Sequence, residues 1–140
     1  AECSGPLVVI SADTAFSMMA VNAKQELVGG VILPGPQLSL SALVKNTAQL
    51  PQIDLAAKAP ASILGKSTSS CLQNGFVLGT ASLLDGLAER FCAELGPQTA
   101  FYATGNLPIP IREACCTPIL YRETLITDGL YRIWMKNKKG

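Results

Sequence analysis

Three short apolar runs rich in β-branched residues crowd the first quarter of the chain, and the turns between them leave room only for a meander. Leu7 to Ile10 is the first run, Ala15 to Val21 the second, and Glu26 to Leu33, broken by Gly29 and Gly30, the third. Ser11-Ala12-Asp13-Thr14 separates the first two, and Asn22-Ala23-Lys24-Gln25 separates the next two. Such short connections join antiparallel neighbours, because a parallel crossover needs a dozen residues or more.

Pro34-Gly35-Pro36 stops the third run, and proline is well tolerated in the first turn of a helix. Leu38, Ala42, Leu43 and Leu50 then recur at a spacing that predicts an amphipathic helix over 38–50. Residues 51–64 carry two prolines and no period, and they read as a crossing loop. Ser67-Thr68-Ser69-Ser70 supplies N-cap candidates for a long helix reaching about Leu95, with Leu72, Phe76, Leu84, Leu87, Phe91 and Leu95 as its core stripe. Gly75 and Gly79 lie on one face of that helix; two such glycines are costly, which points to tight packing against another helix or a partner subunit. After Gly96-Pro97, a strand over 99–103 leads to the turn Thr104-Gly105-Asn106, and then a strand over 118–121, after a short helical turn, leads to a helix over 124–134. The whole chain, 1–140, is therefore one α/β domain, an antiparallel meander extended by strands reached through helices. That order matches one lobe of the ribonuclease-H-like, actin-type (ASKHA) kinase architecture.

Composition excludes several functions. Apolar residues make up 49% of the chain and charged ones only 15%, so part of the surface is expected to be covered by another lobe or subunit. A net charge of +1 gives no steering toward nucleic acid or an anionic membrane, and no apolar stretch is long enough to span a bilayer. The basic run Lys136, Lys138 and Lys139 reads as a solvated tail. There is no histidine, hence no histidine base and no mixed Cys/His zinc site. Five cysteines without a C-x-x-C pair and without a secretory signal favour reduced thiols and a cytoplasmic setting, with Cys71 and Cys92 read as buried small hydrophobes. Lys66 follows Gly65, but Pro60 stands where a phosphate-binding loop needs its first glycine, so that motif is a false lead.

Six stretches carry a resemblance. "VGGVILPG" (Val28 to Gly35), "SALVKNTAQLP" (Ser41 to Pro51), "ILGKST" (Ile63 to Thr68), "QNGFVLG" (Gln73 to Gly79), "YATGNL" (Tyr102 to Leu107) and "LITDGLYRIW" (Leu125 to Trp134) occur in the order found in the C-terminal lobe of type III pantothenate kinase. The chain thus resembles that family over nearly its whole length. The resemblance implies two lobes around ATP, phosphorylation of pantothenate as the first step of coenzyme A synthesis, magnesium with the nucleotide and a monovalent cation such as potassium. It further implies association with a second subunit of the same family, as a homo- or heterodimer. The catalytic aspartate of the family lies in a Gly-x-Asp-Arg loop with no counterpart in this chain, so no catalytic residue is expected here.

Residue by residue, "SADTA" falls on the family's Asp-x-Gly-Thr-Ala turn. Thr14 matches the threonine that contacts ATP, and Ser17 keeps a hydroxyl in place of one of two following threonines. Ser11 stands where the family has a cation-binding aspartate, and Asp13 where it has glycine. Gly105 matches the first glycine of a Thr-Gly-Gly turn near the nucleotide, with Asn106 replacing the second. Gly30 and Thr68 fall on the substrate side, and Thr68 also reads as the N-cap of the long helix. The departures have a chemical cost. Ser11 offers a neutral hydroxyl instead of a hard anionic oxygen, and Asp13, two residues on, is a candidate substitute ligand. Without a cation, Asp13 would repel a phosphate charge ~4 Å away by about 4 kcal/mol at an effective dielectric near 20. Three expectations follow, the first two being a partial kinase, degenerate in this turn and inactive alone, or a non-catalytic interaction or regulatory subunit derived from one. A stand-alone domain with an unrelated ligand in the same cleft is the third.

Overall fold

The structure is a computed structural model that describes residues 4–138. Strands β1 (Leu7–Ala12), β2 (Ala15–Val21) and β3 (Leu27–Pro34) form the expected meander. Helices α1 (Pro36–Lys45) and α2 (Thr68–Leu95) follow, then β4 (Ala100–Gly105), α3 (Ile109–Ala114), β5 (Ile119–Tyr121) and α4 (Leu125–Lys138). The five strands make one sheet in the order β3-β2-β1-β4-β5. β1 pairs antiparallel with β2 and β2 with β3, whereas β1 with β4 and β4 with β5 are parallel. The fold is a mixed α/β layer in which β1 is the strand shared by the antiparallel and parallel halves.

Alternation of side chains along the strands explains which face is covered. Val8, Ile10 and Ala12 of β1, Phe16, Met18 and Ala20 of β2, and Phe101 and Ala103 of β4 are all buried on one face. Against them lie Leu40 of α1, Val77, Ala81, Leu84 and Ala88 of α2, and Ile111 of α3. The buried row of α2 also includes Asn74, so its seam runs 74, 77, 81, 84, 88. Of the expected stripe, Leu84 is fully buried, Phe76, Leu87, Phe91 and Leu95 pack half-buried against the core, and the most buried row runs beside them through Val77, Ala81 and Ala88.

Other boundaries differ for local reasons. The strands β1 and β4 each run on past the expected end, so the interruption after β1 is only Asp13-Thr14 and Gly105 is still in its strand. β3 is continuous through both glycines, with a bulge that pairs Ala20 with Gly29 but Val21 with Leu27. α1 stops at Lys45 and does not reach Leu50. The Asn46 side-chain amide donates to the Ala42 carbonyl and the Thr47 hydroxyl to the Leu43 carbonyl, capping the last turn from outside it. Gly75 and Gly79 face open space, and nothing in this chain would meet a Cβ at either. The expected close packing of another helix from within the chain is therefore absent among the described residues. Cys71 is exposed, contrary to the sequence reading, because it lies off the buried row of α2 that begins at Asn74. Cys92 is half-buried. Cys3 and Lys139 lie outside the described residues.

One carboxylate fastens the far side of the sheet. The Asp85 side chain, from the middle of α2, accepts the backbone N–H groups of Cys116 (2.9 Å) and Thr117 (2.8 Å), holding the loop between α3 and β5. Partial burial opposes its ionisation, but these hydrogen bonds outweigh that and hold its carboxyl below the ordinary 3.8. Beside it, burial first and then the charges of Asp85 and Cys116 push the Cys115 thiol up to about 12, which makes it inert at neutral pH. Because the folded pKa of Asp85 is depressed, its contribution to stability is full above the ordinary value and fades as pH falls through the folded one. Asp85→Asn should cost about 1–2 kcal/mol in denaturant unfolding at pH 7. The gap to wild type should narrow on acidification below about pH 4.

Candidate functional site

The β1–β2 turn sits where three chain segments meet at one end of the sheet. β1 delivers Ala12, Asp13 and Thr14 follow, and Phe16 pairs back with Ala12. On one side the Gly35 amide donates to the Thr14 carbonyl at 2.9 Å as α1 begins. A Cβ on residue 35 would lie 2.7 Å from the Asp13 carbonyl oxygen and 2.8 Å from that of Thr14, so only glycine lets helix and turn approach this closely. On the other side the Asn106 amide donates to the Ala12 carbonyl at 2.6 Å. Gly105 precedes it with φ +86, and its Cβ would come within 2.5 Å of the same oxygen. The turn is clamped by two glycine-dependent contacts, and the side chains of Asp13 and Thr14 project into solvent.

The strand register gathers hydroxyls beside it. Ser11 pairs with Ser17 across β2 and with Thr104 across β4, placing three hydroxyl side chains in one row on the sheet face opposite the main core. Thr104 is buried and its hydroxyl donates to the Glu123 carbonyl at 3.3 Å, which ties the entry to α4 into the same corner. Ser11 and Ser17 are half-buried. Five sequence candidates, Ser11, Asp13, Thr14, Ser17 and Gly105, are thus brought together at one end of the sheet.

The two substrate-side candidates lie elsewhere. Gly30 is midway along the edge strand β3, where a Cβ would run into the Met18 carbonyl and the Met19 sulfur, so the strand pairing alone accounts for a glycine. Thr68 is exposed at the first position of α2. The cap itself is Ser67, whose side chain accepts from the Ser70 amide while the Ser70 hydroxyl accepts from the Ser67 amide. Capping therefore does not occupy the Thr68 hydroxyl. Nearby, the buried Asn74 amide donates to the Ser62 carbonyl at 2.8 Å and pins the preceding loop over the helix start. Sequence reasoning passed over Asn74, although a polar residue in the seam of an apolar helix is a signal. It also passed over Tyr121, whose hydroxyl donates to the Gly105 carbonyl at 2.6 Å, and Arg112, which lies over the Tyr121 ring at 4.2 Å.

Among the described residues no group of three Cys, Asp or Glu side chains could hold a metal ion. Asp13 is the one carboxylate in the turn, and its donor set there is otherwise hydroxyl and backbone, a poor match for magnesium and a partial one for an alkali cation.

A mixed five-stranded sheet thus carries a glycine-clamped turn beside a row of hydroxyls, and the whole chain can be compared with known proteins. A model of the type III pantothenate kinase family matches residues 1–90. The type III pantothenate kinase of Koribacter versatilis is 38% identical over 137 residues, covering 97% of this chain and 49% of that protein. Those of Frankia alni (36% over 133 residues) and Hyphomonas neptunium (37% over 134) match 95% and 96% of the chain and 52% of each relative. A crystal structure from Campylobacter jejuni, described as a conserved member of the Baf family of transcriptional activators, superposes with a TM-score of 0.66 at 20% identity over 98% of this chain and 60% of that one, a likeness of fold. The chain belongs to the type III pantothenate kinase family. It spans about half the length of the curated relatives it matches.

The clamp makes a direct prediction. Gly105→Ala forces a side chain into positive φ and into the Ala12 carbonyl, and should cost at least about 2 kcal/mol in chemical denaturation. Gly75→Ala, in open space on α2, should instead stabilise the isolated chain by about 0.5–1 kcal/mol.

Proposed function

We propose that this chain is the C-terminal lobe of a type III pantothenate kinase and supplies one wall of the site in which ATP phosphorylates pantothenate. The observation that carries the reading is the clamped Asp13-Thr14 turn, with Thr14 exposed and the Gly105 turn bonded beside it. The strand order supports placing the lobe in the ribonuclease-H-like, actin-type architecture, where two such lobes face each other across a nucleotide.

Phosphoryl transfer depends on positioning and charge neutralisation more than on covalent chemistry by the protein. In this reading Thr14 and Ser17 donate hydroxyl hydrogen bonds toward phosphate, the Gly105 turn flanks the nucleotide, and Thr68 and Gly30 lie toward pantothenate. ATP brings a divalent ion with it. Asp13, through its carboxylate, and Ser11, through its hydroxyl, would hold a monovalent cation, and that ion would turn the repulsion of Asp13 for phosphate into attraction. The chain supplies no base for the pantothenate hydroxyl, and turnover by it alone is not expected. The reaction's setting, with a soluble substrate and nucleotide, is the cytoplasm. No helix of the described residues is long and apolar enough to cross a membrane.

A second subunit fits the surface. The glycine face of α2 is open, and α4 has no buried residue while exposing Ile126, Leu130, Tyr131, Ile133 and Trp134. Together they leave apolar area for another lobe and for a homo- or heterodimer partner.

Joining the N-terminal half of the Koribacter versatilis relative to this chain provides the test. The chimera should form phosphopantothenate from ATP with magnesium and potassium present, and Thr14→Ala should lower kcat/KM about tenfold or more. A folded chimera without turnover would sink the catalytic reading and favour a non-catalytic interaction or regulatory subunit. In the same chimera, Ser11→Asp with Asp13→Gly should strengthen the dependence on potassium and lower KM for ATP. If neither parameter moves, the turn is not degenerate in the sense argued above.

A further inference from the structure

The peptide unit between Gly105 and Asn106 is held at both of its polar ends. Its carbonyl, on Gly105, accepts the Tyr121 hydroxyl at 2.6 Å, and its N–H, on Asn106, donates to Ala12 at 2.6 Å. A peptide unit next to a glycine at φ +86 would otherwise be free to flip, because glycine tolerates the alternatives cheaply. Tyr121 ends β5 opposite Ala103, two residues short of Gly105, so its phenol spans that gap along the sheet. The ring is itself steadied by the Arg112 guanidinium, 4.2 Å above its centroid, which ties α3 to the edge strand through a cation–π contact.

We propose that Tyr121, braced by Arg112, is the positioning residue of the nucleotide-side turn. It locks the Gly105–Asn106 peptide in one orientation. This assignment rests on the nucleotide reading of that turn given above. Two consequences follow from the lock. The Asn106 amide is spent within the fold, while the Gly105 carbonyl keeps its second lone pair beside the Tyr121 hydrogen bond. The donor left open here is the exposed Asn106 carboxamide, which stands where the family pattern has a second glycine. With the backbone N–H taken, the donor this turn offers a nucleotide is the Asn106 side chain, held in place by Tyr121.

The experiment uses the chimera described above, which supplies both lobes, at a temperature where every variant is folded, following amide exchange at Asn106 and MgATP binding by NMR titration. Tyr121→Phe keeps the ring and its stacking but loses the hydroxyl. It should speed Asn106 exchange severalfold and weaken MgATP roughly five- to tenfold, the scale of one lost hydrogen bond. Arg112→Ala should shift both in the same direction by less, and Arg112→Lys should restore part of the loss. Asn106→Ala should weaken MgATP without changing the exchange of its own amide. Unchanged exchange in Tyr121→Phe overturns the lock. Faster exchange with unaltered MgATP affinity overturns the positioning role and leaves Tyr121 a merely structural residue. If the unsubstituted chimera shows no shift with MgATP, the nucleotide reading fails, and the exchange data alone then decide the lock.

Discussion

Everything at the candidate site depends on β1 pairing in two directions at once. Its antiparallel partner β2 returns the chain through Asp13 and Thr14, and its parallel partner β4 brings Gly105 level with Ala12. A strand buried on its core face by Val8, Ile10 and Ala12 cannot slip by one residue without turning those side chains to the other face. The core therefore sets the register, and the register sets which turns meet. The hydroxyl row of Ser17, Ser11 and Thr104 is a by-product of the same alternation, since every second residue of β1 faces away from the helices.

Rigidity and charge are set by different groups at this end of the sheet. Its backbone is clamped by Gly35 and Gly105 contacts that admit no side chain. Its side chains, by contrast, include a carboxylate where a phosphate would be expected to approach. The contacts that constrain this backbone are made by main-chain groups and not by the exposed Asp13 side chain, which explains how Asp13 is accommodated without loss of the fold. Shape and charge are thus separable here, and the kinase question becomes one of charge.

Much of the fold was legible because it rests on periodicity. The meander could be read from three apolar runs and two short polar turns, and the long helix from its serine-rich start and Gly96 stop. The seam of α2 was read only in part because large residues were taken as the core, whereas Val77, Ala81 and Ala88 line the buried row with Leu84, and Leu72 and Phe76 lie to the side. The end of α1 was misread because side-chain capping by Asn46 and Thr47 leaves no mark on hydrophobic spacing. The site was legible only through the family pattern. No spacing along the chain says that Ser11, Ser17 and Thr104 become neighbours, or that Tyr121 reaches back to Gly105, since both facts follow from strand pairing between distant segments.

The Ala12–Asn106 bond joins the first hairpin to a turn that follows α1 and α2 in the chain. Closing so long a segment carries an entropy cost that contacts within the meander or within α2 do not bear, and such pairings form late. The two turns stay apart in any species that lacks the β1–β4 pairing, however much of the meander it has built. Whatever ligand bridges them will read out completed folding, and by mass action will stabilise the finished lobe against every intermediate that lacks the β1–β4 pairing.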